Sequence, residues 1–347
     1  MNYLLITGNG FSIDLVKKLK KESKIDLINL FRHGHAIKFP GEKRPGFLSF
    51  RHCPALWELG ARSHKEPEDV NSLVEEIITC SNMLSDYLQH PSNNTKRSQL
   101  IQSDPIHIRA YFELVAYIRF LFIEYNNYIE NDEIRDLVNS NDWGWSEFLR
   151  KINVTDRAKL TVVTYNYDIW LERVLDVLGI AYSIAGIKEI DGAKIEIIKP
   201  HGSISFYSNE SSQPFSISYS LDQLDLAVEL ESLKLEHSVM NKDTKSFLIP
   251  PAGDSSRQTS AGWATALRSR AENAAKALVD GDDVIICGMS YSHVDRKELD
   301  ALLINLSHGV NFSFVNPSPP KDLNAVLMSL FKNYTVYMDS DSIGEII

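Results

Sequence analysis

Tyr3-Leu4-Leu5-Ile6-Thr7-Gly8-Asn9-Gly10-Phe11-Ser12 decides the fold. Five apolar or β-branched residues in a row read as a strand buried on both faces, the pattern of a parallel sheet. Two glycines follow at once, and Ile13 to Lys21 reads as a helix with Ser12 as its N-cap. Strand, glycine turn and helix together open a nucleotide-binding α/β unit. Working outward, the same grammar returns after residue 154. Lys159 to Thr164 is a β-branched strand followed by a helix over Ile169 to Leu178. Ile195 to Ile198, Asp283 to Cys287, Asn311 to Val315 and Tyr334 to Met338 are further strands, with helices over Ala261 to Val279 and Lys297 to Leu306. Strands alternating with helices imply a doubly wound, mostly parallel, Rossmann-like α/β sheet. Lys24 to Phe31 reads as another strand.

Arg32 to Arg62 is rich in Pro and Gly and reads as loop. Helical periodicity then takes over Val70 to Gln89, Ile106 to Glu130 and Asn141 to Ile152. The expected organisation is a core of residues 1–31 and 155–347, with a mostly helical insertion over 32–154. Ile106 to Glu130 is aromatic-rich and reads as a buried helix. Ser208 to Ser246 carries little pattern beyond a helix near Leu221 to Leu235.

Composition narrows the function. The chain has 347 residues, 44% hydrophobic and 24% charged, which fits a globular protein and excludes a disordered or collagenous one. Its 36 basic and 46 acidic residues give a formal charge of −10, which argues against direct nucleic-acid binding or an anionic membrane surface. Cys53, Cys80 and Cys287 form no CxxC pair, so a metal ribbon lacks ligands and a reducing, cytoplasmic compartment is expected. The N-terminal apolar run is too short for a signal peptide, and no run is long enough to span a membrane.

Five segments carry chemistry at strand ends, where open α/β sheets bind ligands. Gly8-Asn9-Gly10-Phe11-Ser12 is either a plain strand-to-helix turn or a cradle for a pyrophosphate at a helix N-terminus. Ile13 stands where a dehydrogenase would place a third glycine, although Asp26 lies near the distance of a ribose-binding acid. Thr164-Tyr165-Asn166-Tyr167-Asp168 offers Asn166, whose amide can hold a ribose hydroxyl or a water; Asp168 is equally a helix cap. His201-Gly202-Ser203 places an imidazole after Pro200, able to bind a hydroxyl or move a proton. His33 and His35 lack a third metal ligand and read as loop. Cys287-Gly288-Met289-Ser290-Tyr291, followed by His293 and Asp295, suits backbone contact with phosphate or ribose, with Asp295 equally a helix cap. Asn316-Pro317 is a turn or a ribose contact.

Taken in order, these segments resemble the sirtuin-like family. Gly8 to Ser12 resembles its glycine motif, Thr164 to Asp168 its Thr-x-Asn-x-Asp motif, and His201-Gly202-Ser203 its His-Gly motif. Leu248 to Pro251, Trp263 and Gly288-Met289-Ser290 with Asp295 resemble the later stretch of the bacterial branch, and Asn316 the ribose-contacting Asn. The resemblance covers residues 1–12 and 161–317. Ser208 to Ser246 has no cysteine, so the four-cysteine zinc module of the deacylases is missing, and Asn29-Leu30-Phe31-Arg32 only echoes their Pro-Asp-Phe-Arg continuation. A helical insertion without the zinc module resembles the antiviral-defence branch, whose members hydrolyse NAD and deplete it in infected cells.

The resemblance implies NAD as substrate, no metal, and Asn166 and His201 as the catalytic pair. It also implies NAD contacts from Gly8, Asn9, Gly10, Phe11, Ser12, Asp168, Gly288, Ser290 and Asn316. Ser12 and the backbone of Gly8 to Gly10 would hold the pyrophosphate. An oligomer is expected, and, with no sensor domain after the core, so is a separately encoded sensor or ATPase partner. A protein deacylase or ADP-ribosyltransferase, a non-catalytic nucleotide sensor and a dehydrogenase are the alternatives.

Overall fold

The computed structural model describes residues 1–90, 105–140, 142–208, 217, 228–235, 244–250, 262–291 and 296–346. The chain opens with β1 (Asn2–Thr7), α1 (Asn9–Lys18), α2 (Pro54–Glu58), α3 (Pro67–Gln89) and α4 (Ile106–Asn127). Next come α5 (Asn131–Ser140), α6 (Gly144–Val154), β2 (Lys159–Thr164), α7 (Trp170–Leu178), β3 (Tyr182–Ile184) and β4 (Ile195–Ile198). Then follow β5 (Phe206–Tyr207), β6 (Lys234–Leu235), α8 (Gly262–Lys276), β7 (Asp283–Cys287), α9 (Arg296–Asn305), β8 (Asn311–Val315), α10 (Lys321–Leu330) and β9 (Asn333–Tyr337).

Seven strands form one parallel sheet in the order β3-β4-β2-β1-β7-β8-β9. Residues 3–7 of β1 are buried on both faces, which is why the segment reads as an unbroken apolar run. From β1 the chain winds out through β2 to β4 and β3, then crosses to the far side of β1 and winds out again through β7, β8 and β9. The winding reverses beside β1. The crevice at such a reversal, at the carboxyl ends of the strands, is where this class of sheet binds ligands. The tips of β1 and β7 meet there, at Gly8 to Gly10 and Gly288.

The chain divides into two compact units. The first, residues 1–25, 126–203 and 264–347, holds the parallel sheet. The second, residues 26–125 and 204–263, holds α2 to α4 and the antiparallel pair β5/β6. The division falls elsewhere than the sequence suggested: α5 and α6 lie in the unit of the sheet, and residues 204–263 in the helical one. In the second unit, residues 113–123 of α4 are buried without a break, so the helix is core. Phe31 and Phe47 pack on Tyr117, whose hydroxyl donates to the Leu30 carbonyl at 2.6 Å.

Several local expectations are corrected. The first helix begins at Asn9, because Gly8 is the last extended residue (φ −105°, ψ −157°), and Ser12 lies inside the helix and does not cap it. Lys24 to Phe31 forms turns and no strand. Asp26 Oδ1 accepts the N–H groups of Ile28 and Asn29, and Asn29 Oδ1 those of Phe31 and Arg32, so side chains capture the donors a ladder needs. Helix α5 has so polar an exposed face that its apolar positions do not mark it in the sequence; Glu133 starts it by accepting the Glu130 N–H at 3.0 Å. The helix expected from Asn141 begins at Gly144, and β3 is too short to signal itself. Of Leu221 to Leu235, residues 221–227 lie outside the described part; the remainder carries a 3₁₀ turn (Leu230–Ser232) and β6. Among the described residues no helix is long and apolar enough to cross a membrane.

The glycines at the winding reversal have a steric cause. A Cβ on Gly10 would overlap Gly288 Cα, and one on Gly288 would overlap Gly10 Cα, backbone against backbone. Gly288 also sits at φ +58°, in the left-handed region. Gly10→Ala and Gly288→Ala are each expected to lose about 1–3 kcal/mol of stability from overpacking, with Gly288→Ala the worse by about 1 kcal/mol for its backbone. Urea midpoints measure both; an unchanged midpoint in either variant would refute the contact.

Candidate active site

Five strand tips, those of β1, β2, β4, β7 and β8, supply the predicted residues. Tyr165 N–H donates to the Thr7 carbonyl at 3.0 Å, tying the loop after β2 to the end of β1. That tie places Asn166 beside the start of α1. Its Nδ2 donates to the Gly8 carbonyl and to Ser12 Oγ, each at 2.9 Å. Ser12 Oγ in turn donates to Asp168 Oδ2 at 2.7 Å, and Asp168 Oδ1 accepts the Trp170 N–H at 3.0 Å. The chain of donors runs one way, from the Asn166 amide through the Ser12 hydroxyl to the Asp168 carboxylate.

This fixes the Asn166 amide. The Gly8 carbonyl can only accept, so Nδ2 must face it. Asn166 Oδ1 is therefore turned away from Gly8, and among the described residues it has no hydrogen-bond partner although the residue is only 5% exposed. A buried acceptor without a donor costs about 1–3 kcal/mol. Such an atom can take a hydroxyl or N–H from water or from a ligand.

Beneath this loop, Lys199 is buried. Its ammonium donates to the Asp168 carbonyl at 2.5 Å and to Glu172 Oε1 at 2.7 Å. Burial pushes the Asp168 carboxyl up, against the opposing pull of Lys199 and of the Ser12 and Trp170 donors.

His201 follows β4 and is 2% exposed. Gly202 adopts φ +82° to make the turn, and its N–H donates to the Lys199 carbonyl at 2.9 Å. The Tyr165 ring packs edge-on against the imidazole at 4.9 Å, and Ser203 Oγ lies 3.5 Å from the Tyr167 carbonyl it donates to. The loops carrying Asn166 and His201 thus pack on each other. His201 Nε2 lies 2.9 Å from Glu298 Oε2, and Arg268 Nε donates to Glu298 Oε1 at 2.9 Å. Burial raises the Glu298 carboxyl, but His201 and Arg268 together outweigh it and hold it down at about 2.

No protein-family model matches the chain, and no curated protein matches it.

Several predicted contacts are altered by that geometry. The N–H groups of Gly8 and Gly10 donate to the carbonyls of Cys287 (3.1 Å) and Gly288 (3.3 Å), so they do not face a pyrophosphate. An anion at this helix end would meet the remaining first-turn donors, the Phe11 N–H among them, and the helix dipole; no acidic residue lies in that first turn. Ser12 is fully buried and engaged with Asn166 and Asp168, which makes it a positioning residue. The Phe11 ring packs on Trp143 and Trp145 at 5.6 and 5.5 Å, so only its backbone is available. Asn9 and Ser290 are exposed at the tips of β1 and β7. Asp168 holds Ser12 and the start of α7, leaving little for a ligand. Asn316, half-buried past β8, turns Oδ1 back to the Ser318 N–H at 2.8 Å. Asp26 belongs to the second unit, where its Oδ1 shapes its own turn. His293 and Asp295, and Pro251 of the late stretch, fall outside the described residues.

Glu298, Arg268 and Lys199 were missed by motif reading. Arg268 sits in the middle of α8 and Glu298 in the first turn of α9, both in ordinary polar patterns, and nothing in the sequence brings them to His201. A separate cavity of about 440 Å³ lies at the opposite, amino-terminal end of the strands, lined by Asn2, Lys159, Thr161, Glu196 and Arg270. None of the predicted site residues lines it.

Proposed function

We propose that this chain hydrolyses NAD to nicotinamide and ADP-ribose. The observation that carries the reading is Asn166 Oδ1, a buried carbonyl oxygen without a donor, set beside the amino terminus of α1. A ribose hydroxyl or an attacking water supplies the missing donor, and a pyrophosphate suits the helix end. The resemblance to the defence branch of the sirtuin-like family supports the choice of dinucleotide.

The substrate makes modest demands. Nicotinamide leaves as a neutral ring from a cationic one, so no acid is needed to protonate it. The protein has to hold the ribose and present water to the anomeric carbon as an oxocarbenium-like centre develops. Asn166, its amide locked by Gly8 and Ser12, orients the water or the ribose hydroxyl. His201 contacts the ribose hydroxyls and accepts a proton. Lys199 and Asp168 keep the loop rigid beneath them. In this reading the chain is the NAD-depleting effector of an antiphage abortive-infection system, works as an oligomer in the cytoplasm, and is switched on by a separately encoded sensor or ATPase.

The test is nicotinamide release from NAD without any peptide, by the chain alone and by its assembly with proteins encoded beside it. Substantial release by either is expected. Release only with an acyl-lysine peptide would convert the reading to a deacylase. Binding without turnover in both preparations would make the chain a nucleotide sensor.

A further inference from the structure

We infer that Glu298 is a positioning residue for this reaction: with Arg268 as its anchor, it holds His201 as the Nε2–H tautomer and leaves Nδ1 to take the proton. The inference rests on the function proposed above. A carboxylate can only accept hydrogen bonds, and so the ring nitrogen 2.9 Å from Glu298 Oε2 must carry a hydrogen. In a neutral imidazole the other nitrogen then bears the lone pair. Arg268, a donor only, fixes the second carboxylate oxygen and prevents rotation. Tyr165 closes one side of the ring. A buried carboxylate behind an imidazole orients it and stabilises the imidazolium that forms.

The step balances as follows. The bond from the ribose anomeric carbon to the nicotinamide nitrogen breaks, its electron pair going to the ring nitrogen. A water oxygen forms the new bond to that carbon. One water proton passes to His201 Nδ1, giving an imidazolium paired with Glu298, and is later released to solvent.

Glu298→Gln tests this with almost no change in volume. Arg268 must still receive an oxygen, so the new amide turns its NH₂ to His201 Nε2. That nitrogen then has to accept, and the hydrogen moves to Nδ1. The expected result is a fall in kcat of about 10²-fold or more, with KM changed less than about threefold. The double variant Arg268→Met/Glu298→Gln removes the anchor, lets the amide oxygen turn to His201, and is expected to recover at least about tenfold of the lost rate. Nitrogen-15 spectra of histidine-labelled protein read the tautomer directly: Nε2–H in the natural chain, Nδ1–H in Glu298→Gln. Finding Nδ1–H in the natural chain overturns the inference whether or not any variant folds. So does an active natural chain whose Glu298→Gln form turns over at the same rate. Failure of the parent reading looks different: the natural chain and its assembly release no nicotinamide at all.

Discussion

Asn166→Ala is expected to slow nicotinamide release by about 10²-fold or more while leaving the protein folded, the usual scale for a positioned polar group that acts on the reacting atoms. The two ends of this amide do different things. Nδ2 is bonded to the Gly8 carbonyl and to Ser12, and these bonds set the angle of the side chain. Oδ1 has no partner among the described residues. Truncation to alanine removes the orphaned acceptor together with its two supports, so the stability terms oppose each other. The catalytic term has no such compensation. Asn166→Asp sharpens the comparison: whichever way the carboxylate turns, an oxygen faces the Gly8 carbonyl, and both stability and rate are expected to fall. Initial rates of nicotinamide release, with thermal melts on the same samples, measure both effects. An alanine variant keeping a third or more of the natural rate would remove Asn166 from the mechanism.

The largest loss of stability is expected at Lys199. Its side chain is 1% exposed and joins the loop after β2 to α7 through Asp168 and Glu172. Lys199→Met removes the ammonium and strands the Glu172 carboxylate in a site that water does not reach. Breaking a buried pair in this way costs about 3–5 kcal/mol, because the remaining charge keeps its desolvation penalty and loses its partner. Replacing both members with apolar residues should recover most of the loss, since a buried pair and a packed apolar pair differ little. Urea unfolding of Lys199→Met and of Lys199→Met/Glu172→Leu decides the matter. A single variant that loses less than about 1 kcal/mol, or a double variant no better than the single, would contradict the role given to this pair.

The two predictions draw on different levels of information. Asn166 stands out in the sequence because it follows a β-branched strand and precedes a helix, a place where a polar residue meets ligand. Lys199 also follows a strand, but it leads into a turn and reads as an ordinary lysine between Ile198 and Pro200. Only in the folded chain does it lie under Asp168. Phe11 shows the converse. It sits within the glycine motif and looks like part of a binding loop, but Trp143 and Trp145, more than 130 residues away, claim its ring. Gly10 was legible as a required glycine for the wrong reason: the space it leaves is filled by Gly288.

By itself the sequence determined the parallel α/β sheet, because period-two and unbroken apolar runs report burial within a few residues. It also determined that polar groups cluster after β1, β2, β4 and β7, since turn chemistry is local as well. The tertiary structure alone decided which of those groups are engaged and which are open. Hydrogen-bond partners such as Ser12 with Asp168, or His201 with Glu298, are 156 and 97 residues apart, and no local pattern encodes a pairing at that separation. The lone acceptor on Asn166 follows from the same cause: an atom is orphaned only with respect to everything packed around it.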